Sequence, residues 1–354
     1  MIVTRWMWSS RSPGARVARL ALLPPAALYR CAMALRARAY ASRLLPTAMP
    51  AAPTVAVGNL TVGGSGKTPI ASWIAEYYVA KGLTPGIVLR GVGGDEGDVH
   101  RQRVPQAVVI ENADRLAGAR AAVERGAEVV VLDDAFQRLD VGRDLNIAVV
   151  SAESSRAAPW TLPAGPWREG WGALRRADVV VITRKRASRG ATRRVAERVA
   201  RTADAPLAAA HLAIVGFRGL LTGVRYPRRQ VDGARLLVSA GIADPDTFAA
   251  QCRRLGGRVD LLAFPDHHGF DDRDLMRLRG AARNVDYVVV TEKDAVKLHR
   301  GWPDTIAEPL VAFLEVIWEF GQETVETALD AAAADVDELL AGGSDLQQPR
   351  WLSP

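Results

Sequence analysis

The chain has 354 residues, 49% hydrophobic and 24% charged, and carries a net charge of +7. That length holds one large or two ordinary domains with ample core, the composition is that of a globular protein, and no internal repeat is visible. The positive charge is unevenly placed. Eight arginines (Arg5, Arg11, Arg16, Arg19, Arg30, Arg36, Arg38, Arg43) fall in residues 1–50, and no Asp or Glu precedes Glu76; subtracting those eight leaves −1 for residues 51–354. The body of the protein therefore has no basic excess to offer nucleic acid, and no nucleic-acid partner is expected.

In residues 1–50 the longest uncharged run, Leu20 to Tyr29, is broken by Pro24 and Pro25. It is far short of the ~20 apolar residues a bilayer span needs. From Leu28 onward, Leu28, Ala32, Leu35 and Ala39 recur at helical spacing with arginines around them. This reads as an amphipathic helix lying on an anionic membrane surface, with Trp6 and Trp8 as further anchors; the alternative is a helix packed on the protein's own body. Two cysteines, Cys31 and Cys252, offer no framework of disulfides or metal ligands, which fits a reduced, cytosolic setting.

The rest of the chain is organised around residues 57–69, Val-Gly-Asn-Leu-Thr-Val-Gly-Gly-Ser-Gly-Lys-Thr-Pro. An apolar run, Thr54 to Val57, precedes this stretch, and a segment with Ile70, Trp73, Ile74, Tyr77 and Tyr78 follows it, so the order is strand, glycine loop, helix. In such a loop the backbone amides of Gly63, Gly64, Ser65 and Gly66 surround a polyphosphate, Lys67 reaches its terminal phosphates, and the Thr68 hydroxyl ligates magnesium. Thr61 stands where the general pattern has its first glycine, and the nearest glycine is Gly58. The N-terminal charge pattern also fits a secretory signal, but export would carry a nucleotide site to a compartment without ATP.

Further apolar runs at Gly86–Leu89, Ala107–Ile110, Glu128–Leu132, Ile147–Val150 and Val179–Ile182 alternate with helical segments at Arg115–Arg125, around Leu174 and at Val195–Val199. Continuous apolar strands between helices imply a parallel sheet covered on both faces, with ligands at the carboxyl ends of its strands. Asp133 and Asp134 fall at such an end and read as a magnesium-holding pair. Residues 212–231 loosen into a connector. A second α/β unit follows, with strands at Leu236–Val238, Leu261–Phe264 and Tyr287–Val290 and helices at Asp244–Leu255 and Asp271–Ala282. The expected division is a membrane-associating segment (1–50), a nucleotide-binding domain (51–211), a connector (212–231), a second domain (232–332) and a flexible tail (333–354).

Several residues could carry chemistry. His267 and His268, in Phe-Pro-Asp-His-His at a strand end, suit a proton relay better than zinc because no third histidine is near; the alternative is a surface histidine beside a helix cap. Asp95 and Asp98 lie in a glycine-rich loop that should neighbour the phosphate loop; either could accept a proton from an attacking hydroxyl, or both could be solvated. Arg168 and Glu169 follow a stiff turn, Leu162 to Trp167, which would hold the guanidinium for a phosphate.

Taken together, these stretches resemble the tetraacyldisaccharide 4'-kinases, the membrane-associated family of lipid A biosynthesis. The matching pieces are residues 57–69, Arg90-Gly91, Asp133 to Gln137, Leu162 to Pro166 with Arg168-Glu169, Ala173 to Asp178, Phe264 to His268 and Thr291 to Lys297; they keep the family's order. In this family the loop glycine stands at the position of Gly58. The resemblance implies a P-loop NTPase-like parallel sheet domain with a second, smaller α/β domain, acting at the cytoplasmic face of the bacterial inner membrane as a peripheral or monotopic protein. It implies ATP and Mg2+, with the γ-phosphate passing to the 4'-hydroxyl of a tetraacylated glucosamine disaccharide 1-phosphate. Lys67, Thr68, Asp133 and Asp134 would hold phosphate and metal. Asp95 would be the base, assisted by His267, with Lys67 and Arg168 completing the catalytic set. Asn59, Gln137, Arg168 and Glu169 would meet the lipid substrate.

Three departures stand out. A stretch of some tens of residues usual between Arg90-Gly91 and Gly94-Asp95-Glu96 is missing, which leaves Asp98 as a rival to Asp95. Val92 replaces a usual tyrosine, and Ala135 replaces a usual glycine, adding a methyl where the backbone needs freedom. Two other readings remain open: a GTPase or metal-insertion NTPase, on the likeness of Thr291-Glu292-Lys293-Asp294 to Asn-Lys-x-Asp, and a non-catalytic nucleotide-binding module.

Overall fold

The computed structural model describes residues 7, 8, 10, 12–91, 95–156, 160–298, 301–302 and 307–341. Trp6, Val92 and residues 342–354 of the expected tail lie outside them. Helices α1 (Pro13–Ala21) and α2 (Leu23–Ala41) precede the first strand. The first half then runs β1 (Thr54–Asn59), α3 (Lys67–Ala80), β2 (Pro85–Leu89), α4 (Asp95–Arg103), β3 (Val108–Glu111), α5 (Arg115–Glu124), β4 (Val129–Asp133), β5 (Leu145–Ser151), β6 (Val179–Arg184) and α6 (Arg189–Ala200). The strands are parallel, in the order β6-β5-β1-β4-β2-β3. Strands β1, β4 and β5 are buried along their whole length, which is why each reads as an unbroken apolar run. Alternate residues face opposite sides: Val55 and Val57 meet Ile70, Ile74 and Tyr78 of α3, while Ala56 meets Ala119 and Ala122 of α5.

Beyond β6 come β7 (Leu207–Gly219), β8 (Arg225–Pro227), β9 (Arg235–Ala240), α7 (Pro245–Arg254), β10 (Arg258–Ala263), α8 (Asp272–Ala281), β11 (Tyr287–Thr291), α9 (Glu292–Leu298), β12 (Leu310–Phe320) and α10 (Gln322–Ala341). The sheet does not stop between the halves. Twelve strands form one sheet among the described residues, continuing from β6 through β7, β12, β11 and β9 to β10. Residues 212–231, the expected connector, are mostly strand: β7 pairs with β6 in parallel and with β12 antiparallel from Gly219–Leu310 to Ala209–Phe320. The apolar signal is loose there because β7 alternates buried and half-buried positions and carries Gly216 and Gly219. Strand β12 and helix α10 have no counterpart in the sequence reading.

Two other segments differ from expectation. Residues 95–103 form a helix rather than a loop, with Asp95, Glu96 and Asp98 in its first turn and His100, Arg101 and Arg103 in its last, the polarity a helix dipole favours. Residues 333–341, the start of the expected tail, continue α10. Val325, Leu329 and Ala333 of α10 recur every fourth residue and are buried against Ile70, Ile74 and Tyr78 of the first half.

Helix α2 forms where the Leu28 spacing places it. Ala26 is buried, Thr161 donates to its carbonyl, and Arg36 donates to the Gln137 carbonyl, so one side docks on the body. Leu28 and Leu35, 73% and 63% exposed, point away from it, as do Val17 and Leu20 of α1. No helix among the described residues is long and apolar enough to cross a membrane.

Leu329 is fully buried and its carbonyl accepts from the Tyr78 hydroxyl at 3.0 Å. Leu329→Ala is therefore expected to lower stability by about 3 kcal/mol in chemical denaturation; a loss under 1 kcal/mol would mean α10 contributes little to the first core.

A candidate phosphoryl-transfer site

The carboxyl ends of β1 and β4 open into a cleft of about 360 Å³ between the two halves. Its first wall is the loop after β1, where Gly63, Gly64, Ser65, Gly66, Lys67 and Thr68 all line the space. Gly66 sits at φ +92° immediately before α3, a conformation glycine adopts without strain. Gly58 is needed one step earlier: a Cβ there would lie 2.4 Å from the backbone nitrogen of Phe136. The buried Asn59 side chain donates to Ser65 Oγ at 2.7 Å, and Thr183 Oγ1 donates to the Ser65 carbonyl at 2.6 Å, so the loop is pinned from below. Lys185 Nζ donates to the Gly64 carbonyl at 3.0 Å.

Asp133 ends β4, and its Oδ2 lies 3.2 Å from Nε2 of the fully buried His100, whose Nδ1 is 2.9 Å from Ser72 Oγ. The arrangement is that of a serine hydroxyl donating to Nδ1 and Nε2–H donating to the carboxylate. Burial alone would raise the Asp133 pKa, but the His100 hydrogen bond, with Lys67 nearby, outweighs it and holds the carboxyl below its usual range. Its Oδ1 is buried without a protein partner and remains an open acceptor. Asp134 takes the left-handed φ of +54°, a conformation Asp tolerates better than most residues. Ala135, the position where the family has glycine, is not among the residues with positive φ; its methyl is buried in the core, and its N–H donates to the Val57 carbonyl at 3.0 Å.

Asp134 meets two cations, Lys67 Nζ at 3.5 Å and Arg168 Nη1 at 3.0 Å. Burial again opposes them, and their charges keep the Asp134 pKa low. Arg168 is placed by the strand-like pairing of Thr61 with Trp167, by donation from its own N–H to the Leu60 carbonyl at 2.7 Å, and by donation from Val62 N–H to Pro166. It also donates to Gln137 Oε1 at 3.3 Å, while Gln137 Nε2 donates to the Asn59 carbonyl.

The second wall comes from the other half, with Asp266, His267, Thr291, Glu292 and Lys293 beside Ile242 and Phe248. His267, in the left-handed region at φ +58°, has Nδ1 3.1 Å from both oxygens of Asp95. Its side chain is 34% exposed and lines the cleft, whereas Asp95 is 1% exposed and lies behind it. The Asp95 hydrogen bond raises the His267 pKa against the effect of burial. Burial pushes Asp95 up, but His267, Lys297 and Lys293 together hold it far below the usual carboxylate range. The phosphate loop, the aspartate pair, Arg168 and the Asp95–His267 pair thus share one cleft.

Several expected residues stand outside the cleft. Asn59, fully buried under the phosphate loop, and Gln137 do not line it. Asp98 faces solvent and pairs with Arg101 at 2.6 Å, because α4 turns it away from His267. Glu169 is buried against Arg176 at 2.8 Å and does not line the cleft. His268 bonds Asp274 at 2.6 Å near the start of α8. Asp294 accepts from Gly241 N–H and from Thr291 Oγ1 at 2.6 Å and is fully buried, so it cannot read a guanine base. Sequence reasoning gave no role to His100, Glu96, Lys185, Lys293 or Lys297, although Glu96, Lys293 and Lys297 stand in stretches that match the family.

A strand, glycine loop and helix at the carboxyl edge of a parallel sheet, with an aspartate pair ending the next strand, define a P-loop nucleotide-binding protein. The sequence matches the family described as Tetraacyldisaccharide-1-P 4'-kinase over residues 18–103 and 92–334. The tetraacyldisaccharide 4'-kinase of Pelobacter propionicus is 34% identical over 84% of this chain and 88% of its own length. That of Anaeromyxobacter sp. (strain Fw109-5) is also 34% identical, over 96% and 98%. In fold the chain is similar to LpxK of Aquifex aeolicus in complex with ATP, with a TM-score of 0.72 and 24% identity over 89% of this chain and 99% of that one. The chain belongs to the tetraacyldisaccharide-1-P 4'-kinase family.

His100→Ala would leave Asp133 and Ser72 buried without their shared partner. It should cost about 3 kcal/mol in denaturation, whereas His100→Gln, which can still donate to Asp133, should cost less.

Proposed function

We propose that the protein transfers the γ-phosphate of ATP to the 4'-hydroxyl of a tetraacylated glucosamine disaccharide 1-phosphate. The observation that carries this reading is the meeting of Lys67 and the aspartate pair with the Asp95–His267 pair across one cleft. The loop amides and Lys67 would hold the β- and γ-phosphates, and Arg168, already drawn to Asp134, would sit against the transferred group. Two carboxylates and a hydroxyl suit magnesium, which needs only one or two carboxylates when phosphates complete its shell; Asp133 with its open Oδ1, Asp134 and Thr68 would hold it. Bound there, magnesium supplies charge neutralisation on the phosphates.

The proton follows a different route from the one the resemblance implies. His267 Nε2 faces the cleft and would accept the hydroxyl proton, while Asp95 behind it holds Nδ1–H. The freed oxygen attacks the γ-phosphorus, the bond to the β-phosphate oxygen breaks, and ADP leaves. In a detergent assay with disaccharide 1-phosphate, ATP and Mg2+, the wild type should form the 4'-phosphate. His267→Ala should cut kcat by about 10²–10³-fold with ATP affinity kept. Absence of lipid phosphorylation, or equal use of GTP, would overturn the reading.

The exposed Val17, Leu20, Leu28 and Leu35, with Arg16, Arg30 and Arg38 exposed among them, support docking of α1 and α2 on the cytoplasmic surface of an anionic membrane. Sedimentation with phosphatidylglycerol vesicles should fall several-fold in Leu28→Glu/Leu35→Glu at unchanged stability; equal sedimentation would remove these helices as the anchor.

A further inference from the structure

Asp95 gains its partners from outside its own half. His267 comes from the loop after β10, and Lys297 Nζ, from α9, lies 2.9 Å from Asp95 Oδ2. Two further ion pairs join α4 to α9, Glu96 with Lys293 and Arg103 with Glu292. Asp95 meets the later part of α9, while Glu96 and Arg103 reach its first two residues, so three ion pairs tie the two helices together. Of these pairs, the one made by Lys297 reaches the carboxylate that bonds His267. Lys297 is 14% exposed and does not line the cleft, so it has no direct route to phosphate or lipid.

A buried carboxylate facing an imidazole alone would favour the ion pair, leaving both ring nitrogens protonated and Nε2 unable to accept. A lysine on the same carboxylate changes that balance: the carboxylate is already compensated, so the imidazole can stay neutral with Nδ1–H directed to Asp95. We propose that Lys297 is a positioning residue for proton transfer, fixing Asp95 as an ionised anchor so that His267 Nε2 stays free to accept the acceptor hydroxyl's proton. The proposal rests on the reading of His267 given under Proposed function.

The charges around His267 set the direction of the effect. Asp95 on α4 and Asp266, whose Oδ1 is 4.0 Å from His267 Nε2, hold a proton on the ring. Lys293 on α9, shared with Glu96, opposes it; Lys297 acts on Asp95, lowering its pKa, and the buried Asp294 adds negative charge near Asp95. The His267 pKa already lies above its ordinary value, so the acid limb of activity lies there too. Removing the Lys297 charge raises it further, and activity is lost as pH falls through a higher value.

The test uses Lys297→Met and Lys297→Arg in the full chain, reading the His267 imidazole titration by NMR without substrate, the pH profile of kcat/KM for the lipid, and KM for ATP. In Lys297→Met the titration and the acid limb should move up together by about one pH unit. On that limb the rate at fixed pH should fall about tenfold, with KM for ATP within twofold of wild type. Lys297→Arg should recover the wild-type values. Should the Met variant fold poorly, Lys297→Gln reads the same quantities with a polar side chain kept. An unmoved titration and limb, or an equal loss at every pH, would overturn the proposal and leave Lys297 a structural role only. Failure of the wild type to phosphorylate the lipid would instead remove the kinase reading, while the His267 titration would still decide what Lys297 does.

Discussion

The Asp95 carboxylate, held almost wholly out of water, is the constraint on which the cleft depends. A buried charge must be compensated, and here the compensation crosses the space between the halves: His267 and Lys297 both approach from the second half. The Asp95–His267 pair therefore exists only where α4 rests against the second half. The Glu96–Lys293 and Arg103–Glu292 pairs repeat the same connection beside it, with Arg103 also donating to the Leu314 carbonyl of β12. One sheet runs beneath both walls of the cleft.

Two residues in the cleft, Asp134 and His267, take left-handed backbone conformations that cost side-chain-bearing residues energy. Each follows a strand end, and each is tied back. The residue after Asp134 donates to Val57 of β1, and His267 itself donates to the Gly241 carbonyl beyond β9. The turn at Asp134 sends its carboxylate toward Lys67 and Arg168, while Asp133, still in the strand, points to His100. Adjacent aspartates thereby take separate tasks.

The first half was legible because parallel strands buried on both faces, such as β1 and β4, leave unbroken apolar runs, and because the phosphate loop needs glycine at fixed places. Strands β7 and β12 were not, since an antiparallel pair with a partly open face alternates its residues and scatters glycine and charge among them. Helix α4 was hidden by its mean polarity: only the acidic start and basic end marked it. At the site, Lys67, the aspartates, Arg168, Asp95 and His267 were all named from sequence, but which of Asp95 and His267 faces the cleft depends on burial, and their positions lie 172 residues apart. Lys297 stood in a stretch that matches the family but was given no role, because a lysine one turn after another in a short helix looks solvated. Glu169 and Asp98 read like site residues until their partners, Arg176 and Arg101, were seen.

The last helix has a consequence for biogenesis. Helix α3 presents Ile70, Ile74 and Tyr78 early in the chain, yet part of the surface that covers them is Val325, Leu329 and Ala333 of α10. A ribosome delivers the phosphate loop long before it delivers that cover, so the N-terminal half cannot seal as a finished unit while translation proceeds. The core face of α3 is covered by residues some 251 positions further along the chain, and a premature stop before α10 leaves that apolar surface open.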